Sequence, residues 1–200
     1  AARVLMKILY GARMARPDLL RAVSALAAKV TKWDNQCDLE IHRLVEYINS
    51  TLEYRLVSWV SPHDKPEDFE LSLYADADFA GSADSKSTSG IFLALRAPDS
   101  RCMLSAMSKK QTCISHSTPE SEIVAADAAL RTAGLPALSL WDTLLQREVH
   151  CVFHEDNEAM IRCMRTGRNP TMRHIGRTHK ISMGWLSERF KERWQDLRYI

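Results

Sequence analysis

The strongest constraint on this chain is a 23-residue stretch, Glu70–Phe92, reading ELSLYADADFAGSADSKSTSGIF. Leu71, Leu73 and Tyr74 open a short strand-like run that ends in Asp76-Ala77-Asp78. A turn rich in Gly, Ser and Asp follows, and a second apolar run covers Ile91–Leu95. Two apolar runs around a polar turn predict a β-hairpin. A strand that ends in carboxylates suits a hard cation, because the sheet fixes the direction of the oxygens.

Several readings fit this stretch. In a calcium loop, Asp76, Asp78 and Gly81 would take positions 1, 3 and 6, but Ala80 and Ser87 stand where further ligands belong. A nucleotide-sugar DxD site would want an α/β half before it, and the preceding residues read as helical. A metal-holding strand of nuclease type and a plain hairpin with solvated acids remain open.

A length of 200 residues allows one domain, or one domain and a piece of another. Hydrophobic content of 46% and charged content of 26% are ordinary for a soluble globular chain. No uninterrupted apolar run approaches the ~20 residues that span a membrane, and the start carries no signal-peptide pattern. Cys37, Cys102, Cys113, Cys151 and Cys163 are odd in number and contain no CxxC pair, so they read as reduced thiols of an intracellular protein. Net charge is only +2, yet residues 161–200 hold ten Arg and Lys against Glu188, Glu192 and Asp196. Such asymmetry points to a polyanionic partner, or to a solvated helix face.

Residues 1–60 show helical periodicity in three segments, with a short strand expected at Leu56–Val60. The run Ser61–Asp68 (SPHDKPED) reads as a linker. Cys102–Met107 is expected as a third strand. Ser117, Pro119 and Glu120 make a capping box, which starts a helix expected to stop at Gly134. On that helix Glu122, Ala126 and Ala129 share one stripe, and small alanines would let it approach a sheet closely. Glu122 could equally be an ordinary first-turn acid. Another helix is expected over Leu135–Arg147, then a strand at Val149–Phe153 running into Glu155-Asp156-Asn157, a helix Glu158–Thr166 capped by Gly167, and a last helix Thr178–Trp194. His150 and His154 read as structural histidines. His174 and His179 read as phosphate contacts or surface residues.

Six blocks carry a resemblance: YADADFAG (74–81), KSTSG (86–90), SKKQT (108–112), STPESEIVA (117–125), EDNEA (155–159) and RTH (177–179). In this order they resemble the ribonuclease H region of copia-type retrotransposon Pol polyproteins. Residues 1–55, through LYGARMARPDL (9–19) and the helix over 44–51, resemble the end of the preceding reverse transcriptase. The resemblance implies an α/β fold, a ribonuclease H-like mixed sheet flanked by helices, preceded by a small helical unit. It divides the chain into the thumb and connection of the polymerase (1–62), a linker (63–69) and the ribonuclease H-like domain (70–200). It implies a metal-dependent endonuclease that hydrolyses the RNA strand of RNA–DNA hybrids during reverse transcription, inside the cell in a retrotransposon particle.

Carried over residue by residue, the resemblance makes Asp76, Glu122 and Asp156 the catalytic carboxylates and metal ligands. Asp78 and Glu120 are nearby acids that the motif does not make essential. The implied cofactors are two Mg²⁺ ions about 3.5–4 Å apart, with Mn²⁺ as a substitute. A fourth family Asp follows a last strand, whose start DLRYI (196–200) matches, so it is expected beyond Ile200. Lys109, Lys110, Arg173, Arg177 and Lys180 are the candidate phosphate contacts to an RNA–DNA hybrid. The remaining Pol polyprotein is the implied protein partner, with no membrane. The alternative is a catalytically silent remnant that binds nucleic acid or supports a polymerase.

Overall fold

The structure is a computed structural model that describes residues 1–200. The chain forms two compact units, residues 1–57 with 107–109, and 58–106 with 110–200.

The first unit is helical: α1 (Ala2–Met14), α2 (Leu20–Ala27) and α3 (Asn35–Ser50). Leu5, Ala12, Leu20, Val23, Leu26, Cys37 and Leu44 are buried within it. Arg16 joins its segments, pairing with Asp18 at 2.7 Å and donating to the Thr51 carbonyl at 3.0 Å. Asp34 caps α3 by accepting from the Cys37 N–H at 2.8 Å. The strand expected at Leu56–Val60 does not form. Only Trp59 makes a single antiparallel bridge, to Arg101.

The second unit is built on a mixed five-stranded sheet in the order β3-β2-β1-β4-β5. The strands are β1 (Glu70–Asp78), β2 (Thr88–Ala97), β3 (Ser100–Lys110), β4 (Cys151–Glu155) and β5 (Gln195–Tyr199). β1 and β2 form the expected hairpin, in register from Glu70↔Arg96 to Asp78↔Thr88. β4 lies parallel to β1 on its other side and parallel to β5 beyond. The fold is thus of the α/β class that the sequence led us to expect, a mixed sheet flanked by helices. The Ser87 hydroxyl accepts from the Ala80 N–H at 3.1 Å and so ties the two sides of the turn together.

Leu71, Leu73, Ala75 and Ala77 of β1 point to one face, where Ile123, Ala126, Ala129 and Leu130 are buried against them in one core. Those residues belong to α4 (Thr118–Ala129) and to the π-helical turn Leu130–Gly134 that continues into α5 (Leu135–Leu145). Gly134 therefore does not stop the helix. A side chain there would come within 2.9 Å of Leu73 Cδ2, so the glycine serves close approach to β1. Gly167, in contrast, caps α6 (Glu158–Thr166) at φ +68 as expected. The continuous run Thr118–Leu145 has 28 residues and is long and apolar enough to cross a membrane, yet more than half of its most apolar stretch is buried in this molecule. The expected helix over 178–194 is shorter. α7 covers Ile175–Thr178 and α8 covers Met183–Arg189, split by Lys180 at φ +60 and started afresh by Ser182, whose hydroxyl accepts from the Trp185 N–H.

Candidate active site

The site forms where parallel strands β1 and β4 end side by side. Their last paired residues are Tyr74 and His154. Asp76 and Asp156 each lie two residues further on, and both are exposed. Asp78 closes β1 and is also exposed. His154 is structural: its ring stacks on Tyr74 with centroids 4.2 Å apart.

α4 brings the third expected acid. Ser117 caps it by accepting from the Glu120 N–H at 3.4 Å, and Pro119 occupies the first turn. Ala125, Ala126 and Ala129 are fully buried, so the helix lies close to the sheet. Glu122 is carried inward until only 3% of it is exposed. Burial pushes its carboxyl up to about 8, and the charges of Glu155, Asp76 and Asp156 push the same way. A hydrogen bond from the Ala77 backbone opposes the shift. Asp76, Glu122 and Asp156 thus share one electrostatic neighbourhood, although they come from distant parts of the chain.

A fourth carboxyl stands in that neighbourhood. Glu155, the last residue of β4, is 1% exposed. Its Oε1 accepts from the Asn157 N–H at 3.1 Å. Burial pushes it up to about 7, with the charges of Asp156 and Asp76 adding to the shift. The pattern that could have found it is strand alternation: Phe153 faces the core, so Glu155 faces it too.

Glu122 Oε2 and Glu155 Oε2 are both buried without a hydrogen-bond partner. Buried charge-bearing oxygens normally find donors or cations. An all-oxygen carboxylate set suits Mg²⁺ or Mn²⁺, so the donor chemistry fits a hard divalent ion. The coordination sphere is not closed, since no three Asp, Glu, His or Cys side chains are gathered tightly enough to hold a metal.

The basic candidates lie in two places. Lys109 and Lys110 end β3 and are exposed, and Lys110 pairs with Asp84 at 2.7 Å. Arg173, Arg177 and Lys180 are exposed around α7. His174 and His179 were expected as phosphate contacts or surface residues; the His179 side chain is buried, whereas that of His174 is partly exposed. Their Nε2 atoms lie 3.1 and 3.0 Å from Glu120 Oε1. The buried Glu120 carboxylate attracts them, and no spacing rule in the sequence links residues 54 and 59 positions apart.

No family model matches the chain. Among solved structures, it is similar to LC11-RNase H1, isolated from compost by a metagenomic approach, at 14% identity and a TM-score of 0.37, over 66% of this chain and 84% of that one. It is also similar to the prototype foamy virus protease–reverse transcriptase, at 15% identity and a TM-score of 0.42, over 73% of this chain and 19% of that one.

Proposed function

We propose that the chain is the ribonuclease H region of a copia-type retrotransposon Pol polyprotein, a metal-dependent endonuclease that cleaves the RNA strand of RNA–DNA hybrids. The supporting observation is the buried Glu122 carboxyl, which has an oxygen without a partner and three other carboxyls acting on it. A purely structural glutamate would be neutralised by donors. Divalent ions, when bound, would generate hydroxide from water and stabilise the leaving 3′-oxygen.

The chain's own residues would do the following. Asp76 and Asp156, at the ends of adjacent parallel strands, would present exposed carboxylates towards the scissile phosphate. Glu122 and Glu155 would hold protons near neutral pH and release them as positive charge arrives, because each is kept high by burial and by its acidic neighbours. Lys109, Lys110, Arg173, Arg177 and Lys180 would bind backbone phosphates without reading bases. Glu155 would supply the fourth carboxyl from within the chain.

One observation favours a second reading. No three candidate ligands are gathered around a point, as would hold for a silent remnant that binds hybrids without cutting them. Incubating the chain with a labelled RNA–DNA hybrid, with Mg²⁺, with Mn²⁺ and with EDTA, separates the two. Cleavage confined to the RNA strand and lost in EDTA supports the nuclease. Binding with no cleavage in either metal supports the remnant.

A further inference from the structure

Glu120 is 1% exposed and lies two residues before Glu122, yet it plays no part in the acid cluster. Its carboxylate joins three stretches of chain. Oε2 accepts from the His116 N–H at 3.0 Å, in the loop ahead of α4. Oε1 accepts from His174 Nε2 and His179 Nε2, in the segment after α6. A carboxylate oxygen accepts, so both rings present their Nε2 hydrogens to it. The His179 side chain is 2% exposed and that of His174 is 36% exposed. Cys113 adds a weaker tie, its thiol donating to the Thr178 carbonyl at 3.2 Å.

The segment held in this way has little structure of its own. It consists of a 3₁₀ turn (Pro170–Met172), the single-turn α7 and Lys180 at positive φ. Its inward side chains are Met172, Ile175, His174 and His179. Its outward ones include Arg173, Arg177 and Lys180, and residues 173–180 contain no acid. A short segment with such weak local hydrogen bonding keeps a fixed shape only through its anchors.

We infer that Glu120 is a positioning residue for nucleic-acid binding: it fixes Arg173, Arg177 and Lys180 as one phosphate-binding group beside the N-terminal end of α4. This inference rests on the proposed binding of hybrids at the acid cluster. Fixing three cations before binding reduces the entropy lost when they meet phosphates. The two glutamates of α4 then divide the work, Glu122 at the reacting end and Glu120 on the strand that must be held.

The test is the salt dependence of binding to a non-cleavable hybrid, measured for the full chain at several KCl concentrations. Each phosphate contact contributes a slope of about one in log Kd against log salt. Glu120→Gln removes the negative charge and turns an amide donor towards donors that need an acceptor. It is expected to flatten the slope by about two and to weaken binding about tenfold at ~0.1 M salt. Arg177→Ala, which costs affinity in the wild type, should then cost nothing further in the Glu120→Gln background. Should Glu120→Gln fail to fold, His174→Gln, at a partly exposed position, is expected to give the same flattening at reduced size. A folded Glu120→Gln or His174→Gln chain with an unchanged slope, and with Arg177→Ala still costing affinity, overturns the inference alone. A wild-type chain with no salt-dependent binding to hybrids overturns both the inference and the hybrid reading beneath it.

Discussion

Glu120 and Glu122 stand half a turn apart on one helix and are equally hidden, at 1% and 3% exposure. Their surroundings are opposite. Glu120 accepts from two histidine rings and one backbone N–H. Glu122 has a buried oxygen with no donor, and its strongest neighbours are other acids. Burial therefore does not tell the two carboxyls apart, whereas the identity of their partners does. A saturated carboxylate stabilises the fold, and a buried carboxyl oxygen without a donor calls for a water, a cation or a catalytic role to account for it.

The sharpest way to break this contrast is at the exposed end of the cluster. Asp76→Asn should reduce hybrid cleavage below detection while leaving the melting temperature the same or higher, because it removes a charge that repels Glu122. Retained cleavage in that variant, in a gel assay with Mg²⁺, would move the chemistry elsewhere. Next in size, Glu120→Gln should lower thermal stability. Leaving buried donors without an acceptor costs about 1–3 kcal/mol, which for a chain of this length corresponds to several degrees by calorimetry or circular dichroism.

A smaller effect concerns pH. The folded-state values of about 8 for Glu122 and about 7 for Glu155 exceed their ordinary value of 4.5. The folded chain thus holds protons that the unfolded chain has released. The corresponding stability is fully present below about 4.5 and is lost as pH rises through 7 to 8. Without divalent ions, the melting temperature should fall across that window, and Glu122→Gln should flatten the fall. A wild-type curve that is flat from pH 5 to 8 would contradict the frustrated pair. The smallest expected effect is at Lys110, whose exposed partner Asp84 already engages it at 2.7 Å. Lys110→Ala should weaken hybrid binding less than Arg177→Ala in a parallel titration.

Much of the fold was legible because it is written locally. The hairpin, the Ser117 cap and the Gly167 stop each depend on residues a few positions apart. Gly134 misled because the same residue type serves both as a helix stop and as a close-approach site against Leu73, and only the packing tells which. Leu56–Val60 had strand propensity but found only the bridge from Trp59 to Arg101. At the site, Asp76, Glu122 and Asp156 were named from motif order, whereas Glu155 was legible only as one of two acids, with Asp78, that could take a fourth role. The Glu120–His174–His179 group was invisible for a physical reason: its members meet only after the segment following α6 folds back on the start of α4.

The most direct measurement is the melting temperature at pH 8 of the wild type, Glu120→Gln and Glu122→Gln, each with EDTA and with excess Mg²⁺. Glu122→Gln is expected to melt above the wild type in EDTA and to gain less from Mg²⁺. Glu120→Gln is expected to melt below it and to gain as much from Mg²⁺ as the wild type does. If both variants melt lower in EDTA and both keep the full Mg²⁺ gain, Glu122 is a structural carboxylate like its neighbour, and the contrast between them is void.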